Sequence, residues 1–325
     1  MDSLAPIVLF VYNRPRHTQL TLTALAKNKL ASQSLLYVYA DGKKKETDTN
    51  DEQNIASTRK IVESIKGFAE VKLHFNDRNK GLSNSIIEGI TEVVNRHKKI
   101  IVLEDDIIVS PHFLTYMNDG LDIYEEKEEV ISIHAYNYPV ENNRLPKTFF
   151  MRGADCWGWA TWKRGWDLFE PDSAKLYQSI ISQGLEFEFN RENSYPFSDM
   201  LLDEMNRKVN SWAIRWYASA FLNNKYTLYP NMSLIYNTGF DSSGTHSGAV
   251  DRFNHKNWNN KKPVNIKSAK IIETNKLALE RWKRYFEGLN KPANKKEDRV
   301  PLDSHYSLER IYNRIKRQIT HGKLM

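Results

Sequence analysis

The sequence predicts an α/β protein with a mixed, mainly parallel sheet flanked by helices. Three observations carry the prediction. Short apolar, β-branched runs recur in the first hundred residues; each ends abruptly in polar or turn-forming residues; and stretches with helical spacing separate them. Such a β-α-β-α-β-α-β series builds parallel strands with helices on both faces.

Taken in order, Pro6 to Tyr12 (PIVLFVY) reads as a buried first strand, left through the turn Asn13-Arg14-Pro15. Thr18 is a candidate cap for a helix that uses Leu22, Leu25 and Leu30. The second strand, Leu35 to Ala40, ends at Asp41-Gly42. A lysine-rich loop, Lys43 to Asp51, then leads to a helix through Ile55, Ile61, Val62 and Ile65. Val71 to Phe75 is the third strand, followed by Asn76 to Gly81. Ser83 opens a helix carrying Ile86, Ile87, Ile90, Val93 and Val94 at helical spacing. The fourth strand, Ile100 to Leu103, runs into three consecutive carboxylates, Glu104, Asp105 and Asp106, and the apolar stretch Ile107 to Val109 follows at once.

Beyond Pro111 a helix runs to about Glu126, with further strands at Val130 to Ala135, Thr148 to Arg152 and Tyr226 to Tyr229. Helices are predicted over Ser173 to Gln183, Phe197 to Lys208 and Ser211 to Asn223. Between strand and helices lies the tryptophan-rich segment Gly153 to Arg164. The glycine- and serine-containing stretch Asn237 to His246 has the composition of a lid over a ligand. From about Asn259 the chain turns lysine-rich and poor in apolar residues, as in a tail with one or two helices. The helix Ser307 to Thr320 has an apolar face and basic flanks, suited to an anionic membrane surface or to covering the main domain or a partner subunit.

Composition narrows the function classes. A net charge of +7 favours anionic partners. The single Cys156 excludes an intramolecular disulfide and agrees with a cytoplasmic setting, with peripheral contact at the inner face of the membrane as an option. No signal peptide or membrane-spanning run is read. Phosphate-binding GxxxxGK[ST] and GxGxxG loops, cysteine–histidine zinc spacings and a GxSxG elbow are all absent, and the spread of basic residues argues against nucleic acid.

The carboxylate triplet is the main chemical signal. Three like charges bracketed by apolar residues destabilise one another unless a cation is shared among them. Mg2+ or Mn2+, held by one or two carboxylates and the phosphates of a substrate, suits oxygen ligands of this kind. In a parallel sheet the strand C-termini open on one side, so Arg14, Asp41, Asn79, Lys80 and Glu104 to Asp106 should converge there.

With these motifs in order, the chain resembles the GT-A fold glycosyltransferases. The acidic triplet after IIVL, the ADG ending the second strand and the NRP after the first are similar to the N-acetylglucosaminyltransferase I branch. NKGLSNSI and WGWATWKR are similar to bacterial surface-polysaccharide transferases. The resemblance spans about Pro6 to His246. It implies a GT-A domain over residues 1–258, with a nucleotide-sugar half (1–110) and an acceptor half (111–258), and a basic helical C-terminal extension over 259–325.

The resemblance further implies transfer of a hexosyl or N-acetylhexosaminyl group from a nucleotide-sugar donor, a UDP-sugar, to a glycan or lipid-linked glycan, with inversion, in bacterial polysaccharide synthesis. Asp106 would hold the metal, and Glu104 and Asp105 would contact sugar and ribose. Asp41 would accept from the base, and Arg14 would lie by the nucleotide. Asn79, Lys80 and Ser83 would sit near the donor, His246 would reach the metal or diphosphate, and Trp157 and Trp159 would form an acceptor platform. The branch's general base lies in a WDDW-like segment, whose counterpart here, Ser211 to Trp216, has no carboxylate. Asp203 leads the remaining candidates, ahead of Asp155, Asp199 and Glu204. Two other readings are a sugar-nucleotide pyrophosphorylase, whose first turn would carry a glycine-rich loop that Asn13-Arg14-Pro15 lacks, and a non-catalytic carbohydrate-binding protein.

Overall fold

A computed structural model of the chain describes residues 4–46, 48–241, 252–255, 258 and 262–289. Two expectations, the role of His246 and the helix Ser307 to Thr320, lie outside the described residues.

The first half follows the predicted alternation. Strands β1 (Ile7–Val11), β2 (Leu35–Ala40), β3 (Glu70–Phe75) and β4 (Lys99–Glu104) are connected by helices α1 (Pro15–Leu25), α2 (Thr49–Glu63) and α3 (Leu82–His97). All four strands are parallel, in the order β3-β2-β1-β4. The chain moves from β1 to β2 on one side while β4 occupies the other, so strand order reverses at the β1/β4 pair. A crevice opens outside the C-terminal ends of strands at such a switch point. Register sets what lines it: Phe10 pairs with Glu104 across β1/β4, and Val11 with Ala40 across β1/β2.

Helix α1 starts earlier than Thr18 suggests. Pro15 occupies its first turn, where a missing N–H costs nothing. Arg14 is the cap residue, and Thr18, buried inside the helix, donates from both N and Oγ1 to the Arg14 carbonyl at 3.0 Å.

The second half departs more from expectation. After β5 (Ile107–Val109) and α4 (Phe113–Ile123) come β6 (Val130–His134), β7 (Thr148–Arg152) and β8 (Trp159–Trp162). They are followed by α5 (Lys163–Trp166), α6 (Ser173–Ser182), α7 (Glu186–Phe189), α8 (Phe197–Met205), α9 (Trp212–Leu222), β9 (Tyr226–Pro230), β10 (Ile235–Asn237) and α10 (Lys276–Leu289). The described main sheet runs β3-β2-β1-β4-β8-β6-β9-β7, mixed in direction beyond β4. Strand β8, hidden within the tryptophan-rich segment, wedges antiparallel between β4 and β6. Strands β5 and β10 form a separate antiparallel ribbon.

Apolar residues cover both sheet faces. Leu22 and Leu25 of α1, Leu114 and Leu121 of α4 and Trp282 of α10 share one cluster. Ile86, Ile90 and Val93 of α3 join Trp159, Trp166, Trp212 and Trp216 in the other. Helix α10, from the stretch after residue 259, contributes Ala278, Trp282 and Phe286 to the main core. Among the described residues no helix is long and apolar enough to cross a membrane.

Candidate functional site

The acidic turn Glu104-Asp105-Asp106 lies at the switch point, held by its backbone. The Asp105 carbonyl accepts from Thr21 Oγ1 at 2.7 Å. The Asp106 carbonyl accepts from Thr238 N at 2.8 Å and Thr238 Oγ1 at 2.9 Å. Gly239 packs against the side chain: a Cβ there would stand 2.6 Å from Asp106 Oδ2. The turn is thus clamped between α1 on one side and the strand end of β10 on the other.

Arg14 supplies the first cation. Its Nη2 pairs with Asp105 Oδ1 and lies 3.0 Å from Asp106 Oδ2. Burial works against the arginine charge, but Asp105 and Asp106 outweigh it and hold the guanidinium protonated more firmly than usual. One cation does not neutralise three carboxylates. Burial and the Asp106 charge, only partly countered by Arg14, push Glu104 up to about 8. Burial outweighs the pull of Arg14 on Asp105, which rises to about 6. The turn therefore retains a demand for positive charge at neutral pH.

The described residues form no group of three or more metal-ligating side chains in the geometry of a closed cage. The donor chemistry still fits Mg2+ or Mn2+, because such ions commonly rest on one or two carboxylates and take their other oxygens from phosphate and water. Asp106 and Glu104 are the side chains able to serve, since Asp105 is only 4 % exposed and committed to Arg14. The sequence expectation was that a cation is shared among the three carboxylates, and an arginine of the chain itself supplies part of that charge.

Asp41, Asn79 and Lys80 form a second group along the same sheet edge, with a different character. The Asp41 carboxylate accepts from Gly42 N at 2.9 Å, Asn76 Nδ2 at 3.2 Å, Lys80 N at 3.0 and 3.1 Å, and Gly81 N at 3.0 Å. Those bonds take up the roughly four lone-pair directions that a carboxylate offers. Asp41 thus brackets the loop before α3 against β2, and the acceptor expected for a base edge is already engaged. Asn79 Nδ2 donates to the Gly42 carbonyl at 3.0 Å, and Lys80 Nζ extends outward to Glu88 at 2.6 Å. The loops meet so closely that a Cβ on Gly42 would lie 2.5 Å from the Arg78 backbone. Tyr12, which no motif pointed to, stands beside this group within the electrostatic reach of Asp41 and Asp51.

The acceptor-half candidates separate clearly. Asp203 pairs with Lys208 at 2.8 Å with its side chain 45 % exposed. Glu204 is buried, accepts from Ser211 N at 2.5 Å and lies 3.4 Å from Arg215 Nε. The same arginine donates to Ser83 Oγ at 2.6 Å, so Ser83 is a packing partner of α9. Trp159 is fully buried against Trp212 and Trp216 and cannot be an acceptor platform. Trp157 remains partly exposed, its ring 5.7 Å from Phe240 and 4.8 Å from Tyr136.

Asp155 lies on the segment between β7 and β8. Its neighbour Cys156 has its thiol pushed well up by burial and by the charges of Asp155, Glu104 and Asp106, which puts all four groups in one electrostatic neighbourhood. Asp155 Oδ1 accepts from Cys156 N at 2.9 Å, and Oδ2 accepts from Tyr138 OH at 3.4 Å. Behind it, His134 Nε2 accepts from Trp157 N at 3.0 Å; burial lowers that imidazole and keeps it neutral.

The fold is thus of the α/β class, with a carboxylate–arginine site at the switch point of a mixed sheet. No family model matches the chain, and no curated protein matches it. Among solved structures it is similar to TarS of S. aureus, at 12% identity and a TM-score of 0.37, over 73% of this chain and 37% of that one. The chain therefore spans little more than a third of TarS. It is also similar to the mannosyltransferase PcManGT from Pyrobaculum calidifontis in complex with GDP-Man and Mn2+, at 10% identity and a TM-score of 0.35, over 66% of this chain and 69% of that one. Likenesses this distant say nothing of donor or acceptor.

Proposed function

We propose that the chain is a metal-dependent glycosyltransferase that takes a sugar from a nucleotide-diphosphate donor, in the first instance a UDP-sugar, and delivers it to a hydroxyl of a glycan or lipid-linked glycan. The observation that carries this reading is the acidic turn: Arg14 paired with Asp105 and Asp106, and Glu104 pushed up to about 8, at the strand-order reversal. A diphosphate is a suitable ligand for a crevice that holds both an arginine and unneutralised carboxylates, provided that a cation stands between phosphate and carboxylate.

In this reading Asp106, with Glu104 beside it, holds Mg2+ or Mn2+, which supplies charge neutralisation at the departing diphosphate. Arg14 fixes the carboxylate orientation and offers positive charge on the phosphate side. Tyr12 stands near the Asp41 loop and offers an aromatic ring to a nucleobase. Asp155 takes the proton of the acceptor hydroxyl. Of the three candidates it is the one beside Cys156, whose thiol feels the charges of Glu104 and Asp106, whereas Asp203 and Glu204 are paired with Lys208 and Arg215. Trp157 is the aromatic surface available to an acceptor ring.

Calorimetry of UDP with and without Mn2+, followed by a panel of nucleotide sugars assayed for nucleotide release, tests the reading. UDP affinity should depend on Mn2+, and Asp106→Ala should remove that dependence and lower turnover by about 10³-fold while the melting temperature holds. Metal-independent UDP binding, or full turnover in Asp106→Ala, overturns it. A pure carbohydrate-binding protein would show no metal-dependent nucleotide affinity.

A further inference from the structure

We propose that Arg191 forms an anion-recognition subsite on the acceptor side, selecting acceptors that carry a phosphate or carboxylate group close to the reacting hydroxyl. This inference rests on the glycosyltransferase reading and names its acceptor class.

Arg191 is 5 % exposed, between α7 and α8. Its guanidinium lies 4.8 Å from the Trp282 ring, 5.4 Å from Tyr217 and 5.6 Å from Phe197. These rings stabilise a cation without accepting its hydrogen bonds. Among the described residues the Nε–H finds no acceptor and the side chain enters no ion pair. Adjacent Glu192 does not serve, being paired with Lys283 on the outside. A buried arginine left in this state costs stability unless something bound supplies oxygen acceptors.

The surroundings connect this cation to the site. Tyr138 donates to Asp155 and packs its ring 4.8 Å from that of Trp282, the same ring that Arg191 covers. Tyr217 presses on Gly153, two residues before Asp155: a Cβ there would meet its ring at 2.4 Å. Arg191 lies within the electrostatic reach of Tyr217, Tyr229, Tyr138 and Asp155. Other buried polar atoms in this neighbourhood also lack protein partners: Tyr229 OH and Asn137 Nδ2. Tyr229 and Asn137 both adjoin Trp282, by ring contact at 5.0 Å and by the Trp282 Nε1–H to Asn137 Oδ1 bond at 3.0 Å. The cluster therefore offers a cation outside any ion pair, with a hydroxyl and an amide that lack protein partners beside the same Trp282 ring, linked to Asp155 through Tyr138. That donor set suits an oxyanion attached to a sugar, and a neutral sugar would leave the arginine unmatched.

The test compares binding of glucose 1-phosphate, glucuronate and glucose, read by calorimetry and by tryptophan fluorescence, which reports on Trp282. The full chain should bind at least one anionic sugar roughly tenfold or more tighter than glucose, with the margin shrinking as salt is raised. Whether glucose 1-phosphate or glucuronate leads distinguishes a phosphate from a carboxylate source. Arg191→Gln should erase the margin and leave Mn2+-dependent UDP affinity intact; Arg191→Lys, which keeps the charge and the packing stem, should retain part of it. Equal affinity for charged and neutral sugars in the unaltered chain, or a margin unchanged in both variants, overturns the proposal. UDP binding measured in parallel separates the two readings: its presence without anion preference sinks this inference alone, and its absence sinks the donor reading while the sugar titrations still judge Arg191.

Discussion

At the level of single residues, Asp203, which the sequence put first as general base, and Asp155, which it put behind, differ by their partners. Asp203 has Lys208 and water, whereas Asp155 has a tyrosine hydroxyl and the field of the acidic turn. Asp155→Asn should lower kcat by about 10²- to 10⁴-fold with donor KM little changed, while Asp203→Asn should leave kinetics untouched. Steady-state assays on both variants check this, and equal losses would refute the assignment. The raised carboxyls of the turn bear on stability as well. A carboxyl with a folded pKa above its unfolded one keeps its proton in the fold after the unfolded chain has lost it, so the stability it lends at low pH drains away as pH rises. For Glu104 that window runs from its ordinary value of 4.5 to about 8, and for Asp105 from 3.8 to about 6. The melting temperature of metal-free protein should fall through this range more steeply than that of Glu104→Gln, and Mn2+ should raise it more at the alkaline end. Melting curves across pH for the two proteins, with and without Mn2+, provide the comparison; parallel pH profiles would contradict it.

At the level of elements, the loop before α3 is organised by one side chain. Asp41→Asn keeps one acceptor oxygen and turns an NH2 toward the N–H groups of Lys80 and Gly81. Leaving such donors unmatched costs about 1–3 kcal/mol each. Denaturant unfolding should register that loss, whereas a variant with wild-type stability would return Asp41 to a role in reading the base. Some element-scale features were legible in the sequence and others were not. β1, β2 and β4 announced themselves as apolar runs covered on both faces, and β3, a half-exposed edge strand, by its alternation of polar and apolar residues. β8 did not: Trp-Ala-Thr-Trp is aromatic and short, and becomes a strand only because β4 and β6, distant in sequence, flank it. β10 is equally silent, three residues recruited by β5. The acidic turn was legible as chemistry, but its pairing with Arg14 was not, since that depends on how the three-residue connection after β1 aims a side chain.

At the level of the whole molecule, the mixed sheet joins a parallel half, whose edge carries the acidic turn, to a half that carries Asp155 and Arg191, and α10 packs against the latter. Trp282 is fully buried, contacts Tyr138, Phe149 and Tyr229, and donates to Asn137. Trp282→Ala should cost about 3–5 kcal/mol in chemical denaturation, and a loss near zero would show that α10 is dispensable to the core. The basic composition after residue 259 suggested a tail with one or two helices and concealed that one of them packs into the core. Its buried residues, Ala278, Trp282 and Phe286, recur at four-residue spacing, enough for one buried face.

The twin clasp on the Asp106 carbonyl has a genetic corollary. Thr238 grips the backbone and Gly239 abuts the carboxylate, although both are encoded more than a hundred codons downstream. Substitutions at 105–106 and at 238–239 should therefore resemble one another in effect, as damage to a single turn assembled from two distant parts of the gene.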